Sequence, residues 1–162
     1  NKVAYAFMLI CVSQGIYSVV AIAAVGIAVP PLGMGLATLI GRKYFTAEER
    51  ETGKAALVMG CVGVTEGAIP FAAADPLRVI PANMIGAASG CVTAALLGAQ
   101  CYAGWGGLIV LPVVQGKLGF IAALLVGACV SAACVIVLKA LAKKKSSDAK
   151  ADDELDLNFE IN

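Results

Sequence analysis

Long stretches without a charged side chain alternate with short charged segments along this chain. Residues 3–29, 79–116 and 118–138 contain no Asp, Glu, Lys or Arg. About 20 predominantly apolar residues are enough for a helix to cross the hydrocarbon core of a bilayer. The pattern therefore predicts an all-α integral membrane protein.

The first and the last of these stretches each predict one membrane span. We expect the first span over residues 3–29 and place its end at Pro30 and Pro31, because proline removes a helix hydrogen bond and clashes with the preceding turn. Residues 118–138 predict the final span.

The middle stretch, residues 79–116, is too long for one spanning helix at about 1.5 Å per residue and too short for two full spans and a turn. We expect one span over residues 81–97 and a second, broken piece over residues 103–115. Gly86 and Gly90 lie four residues apart in that span, a spacing that lets two membrane helices approach closely.

Residues 42–54 form a charged segment between the first span and the next apolar stretch. Thr46 and Glu49 have the spacing of a capping box, which predicts a helix that begins at Ala47. We expect this helix to continue into the apolar residues that follow.

Residues 55–65 are the eleven uncharged residues that precede Glu66, about half of what a spanning helix needs. Gly67 and Pro70 then favour a break in the helix. We therefore expect a re-entrant hairpin with its tip at Thr65, Glu66 and Gly67, because irregular backbone at membrane depth is tolerated where it lines a cavity in the protein.

Basic residues near the ends of spans favour the cytoplasm. This rule places residues 42–54 and 139–145 on the cytoplasmic side and the N-terminus outside. Residues 1–145 form the predicted membrane domain. Residues 146–162 carry six acidic residues and one lysine, and we expect them to form a disordered cytoplasmic tail.

The composition excludes several classes of protein. Hydrophobic residues make up 60% of the 162 residues, too many for a soluble domain of this size. The sequence has no histidine, so a Ser-His-Asp triad cannot form, and it has no glycine-rich phosphate loop with lysine. We predict no catalytic residue, no cofactor and no nucleic-acid partner.

The cysteines lie singly in apolar surroundings and predict small buried side chains instead of a disulfide framework or a metal site. They are Cys11, Cys61, Cys91, Cys101, Cys129 and Cys134.

Glu66 is one of three charged residues between residues 55 and 116, and ionisable groups at membrane depth usually have a function. A carboxylate can bind a neutral polyol by accepting hydrogen bonds from two hydroxyls, and such bonds strengthen where water is excluded. Backbone groups freed at a hairpin tip can add further hydrogen bonds, and Phe71 or Trp105 can either stack on a sugar ring or simply pack. The predicted substrate-binding set is Glu66, Thr65, Gly67 and Ala68.

Asp75 and Arg78 are the other two charged residues of this stretch. If Pro76 begins a helix, Asp75 takes the N-cap position and Arg78 lies within reach of its carboxylate. We expect this pair, with Pro70, to brace the hairpin; direct contact with a ligand is the alternative.

Four stretches of the sequence resemble the membrane permease, enzyme IIC, of the bacterial fructose-type phosphotransferase system. Residues 64–81 carry the most specific strings, TEGAIPF and DPLR. The others are residues 24–35, 102–107 and 111–116.

The resemblance implies the transport-domain half of an elevator-type permease, homodimeric in the bacterial inner membrane. Such a permease binds fructose or a fructose-like sugar and presents it to enzyme IIB, which receives phosphate from phosphoenolpyruvate through enzyme IIA. The resemblance also implies that Glu66, which matches a glutamate of the family's motif, is the sugar ligand.

Two departures from the family pattern affect the function. The chain resembles the C-terminal half of a permease about twice as long, and none of its cysteines is followed by proline as in the phosphocysteine loop of enzyme IIB. The chain would therefore be the membrane subunit of a sugar phosphotransferase complex, with phosphoryl transfer on a partner.

Two other functions fit the sequence. An ion-coupled secondary transporter would use Glu66 or Asp75 to exchange a proton. A membrane subunit that does not transport is the third possibility.

Overall fold

The computed structural model describes the backbone of residues 2–160 and the side chains of residue 3 and of residues 5–144. Six α-helices follow one another, with one short pair of strands before the last helix. The helices are α1 (Lys2–Ser13), α2 (Tyr17–Ile40), α3 (Ala47–Val62), α4 (Ile69–Ala74), α5 (Pro76–Leu96) and α6 (Lys117–Glu160). The antiparallel strands are β1 (Gln100–Cys101) and β2 (Val114–Gln115), and 3₁₀ turns cover Arg42–Tyr44, Thr65–Ala68 and Leu108–Val113.

Three helical stretches are long and apolar enough to cross a membrane. They are α2, α5 and the Lys117–Lys144 part of α6. The predicted all-α membrane protein is confirmed, and so is the final span over residues 118–138. The span expected over residues 81–97 is also present, although its helix begins five residues earlier, at Pro76.

The first span differs from the prediction. α1 ends at Ser13, the chain turns at Gly15 with a φ of 75°, and α2 then continues through Pro30 and Pro31. The prediction of one span over residues 3–29 that ends at the prolines is therefore wrong. Proline is tolerated inside membrane helices because neighbouring elements can satisfy the backbone groups that it frees, and Pro31 is buried here in the packed centre.

α2 is the central helix, and it packs against α3, α5 and α6. Its buried residues contribute to two apolar clusters. Val20, Val25 and Val29 lie in a cluster with Phe120 of α6. Met34 and Ala37 lie in a second cluster with Phe71 and residues of α5 and α6.

α5 and α6 approach each other closely at the small residues that the sequence pattern singled out. A Cβ added at Gly86 would lie 2.8 Å from Ser131 Cα and 2.9 Å from Gly127 O, too close for a real side chain. Ser131 is fully buried there and donates a 2.6 Å hydrogen bond to Asn83 Oδ1. The predicted close helix contact is confirmed.

The capping box at the start of α3 is confirmed. Glu49 N–H donates to Thr46 Oγ1 at 3.1 Å, and Thr46 N–H donates to Glu49 Oε2 at 2.8 Å. The other carboxylate oxygen of Glu49 accepts a 2.7 Å hydrogen bond from Lys139 Nζ. This ion pair brings the charged segment 42–54 and the basic end of the final span to one end of the molecule.

The broken piece after α5 is confirmed as irregular. β1 and β2 pair through Gln100 with Gln115 and Cys101 with Val114. A 3₁₀ turn, Leu108–Val113, lies between them. The backbone of residues 146–160 continues α6, and the disorder predicted for the tail over residues 146–162 stays a prediction.

Candidate functional site

The helix breaks where the sequence predicted the tip of a hairpin. α3 ends at Val62 and is capped by Gly63, whose φ of 87° lies in the left-handed region that suits glycine. The 3₁₀ turn Thr65–Ala68 leads into α4, and Pro70 lies in its first turn, where a missing N–H costs nothing. Phe71 of α4 and Ala56 of α3 are buried in the same apolar cluster.

Thr65 fixes the turn to the central helix. Its Oγ1 donates a 3.0 Å hydrogen bond to the carbonyl oxygen of Ile27 in α2. Gly67 fits closely against α3, because an added Cβ would lie 3.1 Å from Ala56 Cα. Gly67 and Ala68 are both buried, and the structure places them in the packing between the turn and α3.

A cavity of about 570 Å³ opens beside the turn. Among the described residues that line this cavity, Glu66 carries the single charged side chain. The Glu66 side chain is exposed. The rest of the wall is mainly apolar and comes from α1, α2, the end of α3 and the segment after β1. The lining residues are Tyr5, Met8, Ala23, Gly26, Ile27, Gly63, Val64, Thr65, Glu66, Gly104, Trp105 and Gly106.

Trp105 forms the aromatic wall of the cavity. Its Nε1 donates a 2.7 Å hydrogen bond to the carbonyl oxygen of Val62, at the end of α3. The ring remains 46% exposed, whereas Phe71 is only 2% exposed. Of the two aromatic residues considered for stacking, the structure leaves only Trp105 accessible to a ligand.

Gly63 and Gly106, which both line the cavity, make a close backbone contact. A Cβ at Gly63 would collide with the carbonyl group of Gly106 and lie 3.0 Å from Gly107 N. Gly63 and Gly107 both have positive φ. A residue with a side chain at Gly63 would therefore be strained in its backbone and would also push the two segments apart.

Asp75 and Arg78 form the expected ion pair but lie elsewhere. Arg78 Nη1 donates to Asp75 Oδ2 at 2.8 Å, and α5 begins at Pro76, which was the condition for this pairing. The Asp75 side chain makes no capping hydrogen bond, because its carboxylate is turned towards Arg78. The pair lines a second cavity, of about 400 Å³, which shares no lining residue with the cavity that Glu66 lines.

The sequence predicted three residues that line the cavity, Thr65, Glu66 and Trp105. It did not predict most of the apolar lining residues. Gly63 had a detectable signal, because a glycine just after an apolar helical stretch is a common C-terminal cap. Tyr5, Met8 and the residues of α2 had none, since their position depends on how α1 and α2 pack.

The carboxyl group of Glu49, near the start of α3 and outside the membrane spans, has a lowered pKa. Burial by itself raises the pKa of Glu49, but the hydrogen bonds from Lys139 and Thr46 and the positive charge of Lys139 outweigh burial. The pKa therefore lies below its ordinary value of 4.5.

Comparison with known proteins gives several relatives. The chain is 79% identical over 163 residues to fructose-like permease IIC component 2 of Escherichia coli, and this match covers 100% of the chain and 45% of the relative. It is 44% identical to the fructose-specific EIIB'BC component of Xanthomonas campestris, over 86% of the chain and 24% of that protein. It is 36% identical to the fructose-specific EIIC component of Haloferax volcanii, over 94% of the chain and 41% of that protein.

No protein-family model and no solved structure matches the chain. The chain spans less than half the length of each of the three curated relatives. It is therefore similar, over its whole length, to part of a fructose-type permease IIC component of the phosphotransferase system.

Proposed function

We propose that this chain forms the sugar-binding part of a permease of the phosphoenolpyruvate-dependent phosphotransferase system. The observation that carries the proposal is the cavity of about 570 Å³, into which Glu66 and Trp105 converge. Its size falls within the range of about 300–1,000 Å³ that is typical of small-ligand sites.

The chemistry of the lining suits a neutral sugar. The Glu66 carboxylate accepts hydrogen bonds from two hydroxyls of the sugar, and the exposed face of Trp105 packs against the C–H groups of its ring. A sugar bound against the mainly apolar lining would displace water from the carboxylate, and this strengthens the hydrogen bonds that the carboxylate accepts. The names of the relatives make fructose, or a sugar like it, the first substrate to test.

Enzyme IIB is the proposed partner for phosphorylation. The chain has no histidine, and none of its cysteines precedes a proline, so the phosphate would come from another domain or chain. The relative from Xanthomonas campestris is named EIIB'BC, which joins the B and C parts in one protein. We propose the same pairing here, with enzyme IIA supplying enzyme IIB.

We further propose a cytoplasmic C-terminus in a bacterial inner membrane and a homodimer of the complete permease. The ion pair between Glu49 and Lys139 supports the orientation, because it brings two basic segments to one end of the molecule. Basic residues at span ends favour the cytoplasmic side. The re-entrant position of the α3–α4 hairpin follows from the same orientation, and elevator-like movement of this unit would carry the sugar across.

Uptake into membrane vesicles tests the function. Vesicles that contain the full-length protein should accumulate sugar phosphate only when phosphoenolpyruvate and enzyme IIB are supplied. Collapse of the proton gradient should leave this uptake unchanged. Uptake that needs the gradient and proceeds without phosphoenolpyruvate would identify an ion-coupled transporter and overturn the proposal.

A further inference from the structure

We propose that the second cavity, which Asp75 and Arg78 line, binds a phosphate group. This cavity of about 400 Å³ lies among four basic side chains from three separate parts of the fold. Its lining residues are Lys43, Tyr44, Phe45, Thr46, Asp75, Arg78, Lys139 and Lys143. The proposal is independent of sugar binding at Glu66.

The charges around the cavity match a doubly charged anion. Asp75 pairs with Arg78 at 2.8 Å, and Glu49 pairs with Lys139 at 2.7 Å. Among the described side chains, Lys43 and Lys143 then leave two positive charges in excess at the cavity. A phosphate monoester carries about −1.5 to −2 charges at pH 7.

The ion pairs also hold the cations in place. Lys139 is fixed by Glu49 and lies over the Phe45 ring, with its Nζ 4.1 Å from the ring centroid. Arg78 is held by Asp75 at the first turn of α5. A guanidinium retains further N–H donors when one of them serves an ion pair, and its planar fork suits a phosphate.

The two aromatic side chains of the lining lie against the cations. Lys43 Nζ is 5.0 Å from the centroid of the Tyr44 ring, and Lys139 lies over the ring of Phe45. The cavity also adjoins the N-terminal ends of α3 and α5, at Thr46 and Asp75. Helix N-termini add positive potential to that of the cations.

Two sources of a phosphate group fit this position. One is a free phosphate compound, such as inorganic phosphate or a phosphorylated sugar. The other is the headgroup of an anionic lipid, because basic pockets between membrane helices bind such headgroups.

Thermal unfolding of the full-length protein in a neutral detergent provides the test. Inorganic phosphate should raise the melting temperature in a saturable way at constant ionic strength, since a ligand of the folded state stabilises it. Lys43→Gln and Lys143→Gln should each raise the Kd about fivefold, as expected for the loss of one partly exposed charge. The effects of the two separate charges should add, so the double variant should raise the Kd about 25-fold.

Lys54→Gln is the matched control, because Lys54 is an exposed lysine of α3 outside the cavity. It should respond as the wild type does, and so should Glu66→Gln, which separates this site from the sugar site. Equal responses to phosphate and to chloride, or an unchanged response in the double variant, would overturn the proposal.

A second arm identifies the source of the phosphate group. The protein is placed in nanodiscs of phosphatidylcholine alone or with phosphatidylglycerol. If the lipid headgroup occupies the site, phosphatidylglycerol should abolish the response to inorganic phosphate, and the double variant should retain less of this lipid on purification. If a free phosphate compound occupies it, the response should be the same in both nanodiscs.

Discussion

Glu66 and Trp105 reach one cavity from distant parts of the chain, and each is positioned by its neighbours. The turn that carries Glu66 is tied to α2 by Thr65. Trp105 is tied to the end of α3 by its indole N–H. The binding geometry therefore depends on side chains that hold backbone in place as well as on those that face the ligand.

Trp105→Phe separates the two roles of the tryptophan. Phenylalanine keeps an aromatic face towards the cavity but cannot donate to the Val62 carbonyl, so we expect the melting temperature to fall by an amount that corresponds to about 1 kcal/mol. Sugar affinity should fall only a few-fold. Trp105→Ala should lose at least another tenfold in affinity, because it also removes the ring. Equal affinities for the Phe and Ala variants, measured by calorimetry, would show that the ring does not contact sugar.

Gly63→Ala tests the backbone contact below the cavity. Alanine would be strained at a φ of 87° and would also collide with Gly106, so we expect very little folded protein. Gly98→Ala is the matched control, because Gly98 also has a positive φ of 62° but has nothing within 4 Å of an added Cβ. It should cost only about 1 kcal/mol. Similar yields of the two variants by size-exclusion chromatography would contradict a special role for Gly63.

At the scale of elements, the sequence predicted a close helix approach at Gly86, and the structure shows it between α5 and α6. Gly86→Ala should lower the melting temperature by the equivalent of about 1–3 kcal/mol, the usual cost of overpacking. Gly119→Ala should have a smaller effect, since its nearest neighbour is Cβ of the exposed Leu97 at 3.0 Å and an adjustment at that end of α5 can relieve the contact. A Gly86 variant as stable as the wild type would show that the helices can separate at no cost.

The ion pair between α3 and α6 gives a prediction about pH. The pKa of Glu49 is lowered in the folded protein, so its contribution to stability is present above the ordinary value of 4.5 and is lost as the pH falls through the lower, folded value. Glu49→Gln should therefore lower the melting temperature at pH 7, by the equivalent of about 1–3 kcal/mol. The difference from the wild type should shrink below about pH 4.5.

Glu51→Gln is the control for this experiment. Glu51 pairs with Lys54 at the surface, where its side chain is 74% exposed, and such pairs contribute little. A Glu49 variant whose deficit persists unchanged at low pH would contradict the assigned role of the carboxylate.

The elements differ in how far the sequence determined them. The start of α3 was predictable because Thr46 and Glu49 form a capping box from local residues alone. The course of α2 was not, because Pro30 and Pro31 break a helix in water but are accommodated here by packing against other helices. The same division holds at the site, where a lone carboxylate among apolar residues marked Glu66, whereas the α1 and α2 walls depend on tertiary contacts.

For the whole molecule, one short segment, residues 66–78, contributes side chains to two cavities of different chemistry. Glu66 lines the mainly apolar one, and Asp75 and Arg78 line the basic one. This segment thus connects a proposed sugar site with a proposed phosphate site.

The proposed orientation predicts which ends of the spans are accessible from each side. In a background without the six native cysteines, cysteines introduced at Lys43 and Lys143 should react with an impermeant thiol reagent only from the cytoplasmic side. A cysteine at Lys117, at the other end of the final span, should react only from outside. Labelling of Lys43 and Lys143 positions from opposite sides would contradict the fold itself.

The binding of fructose to the full-length protein tests the central claim most directly. Glu66→Gln removes the charge but keeps the shape, so its Kd should rise at least about tenfold while the melting temperature without sugar stays that of the wild type. Glu48→Gln, an exposed glutamate of α3 away from the cavity, should bind as the wild type does. An unchanged Kd in the Glu66 variant would contradict the assignment of Glu66 as the sugar ligand.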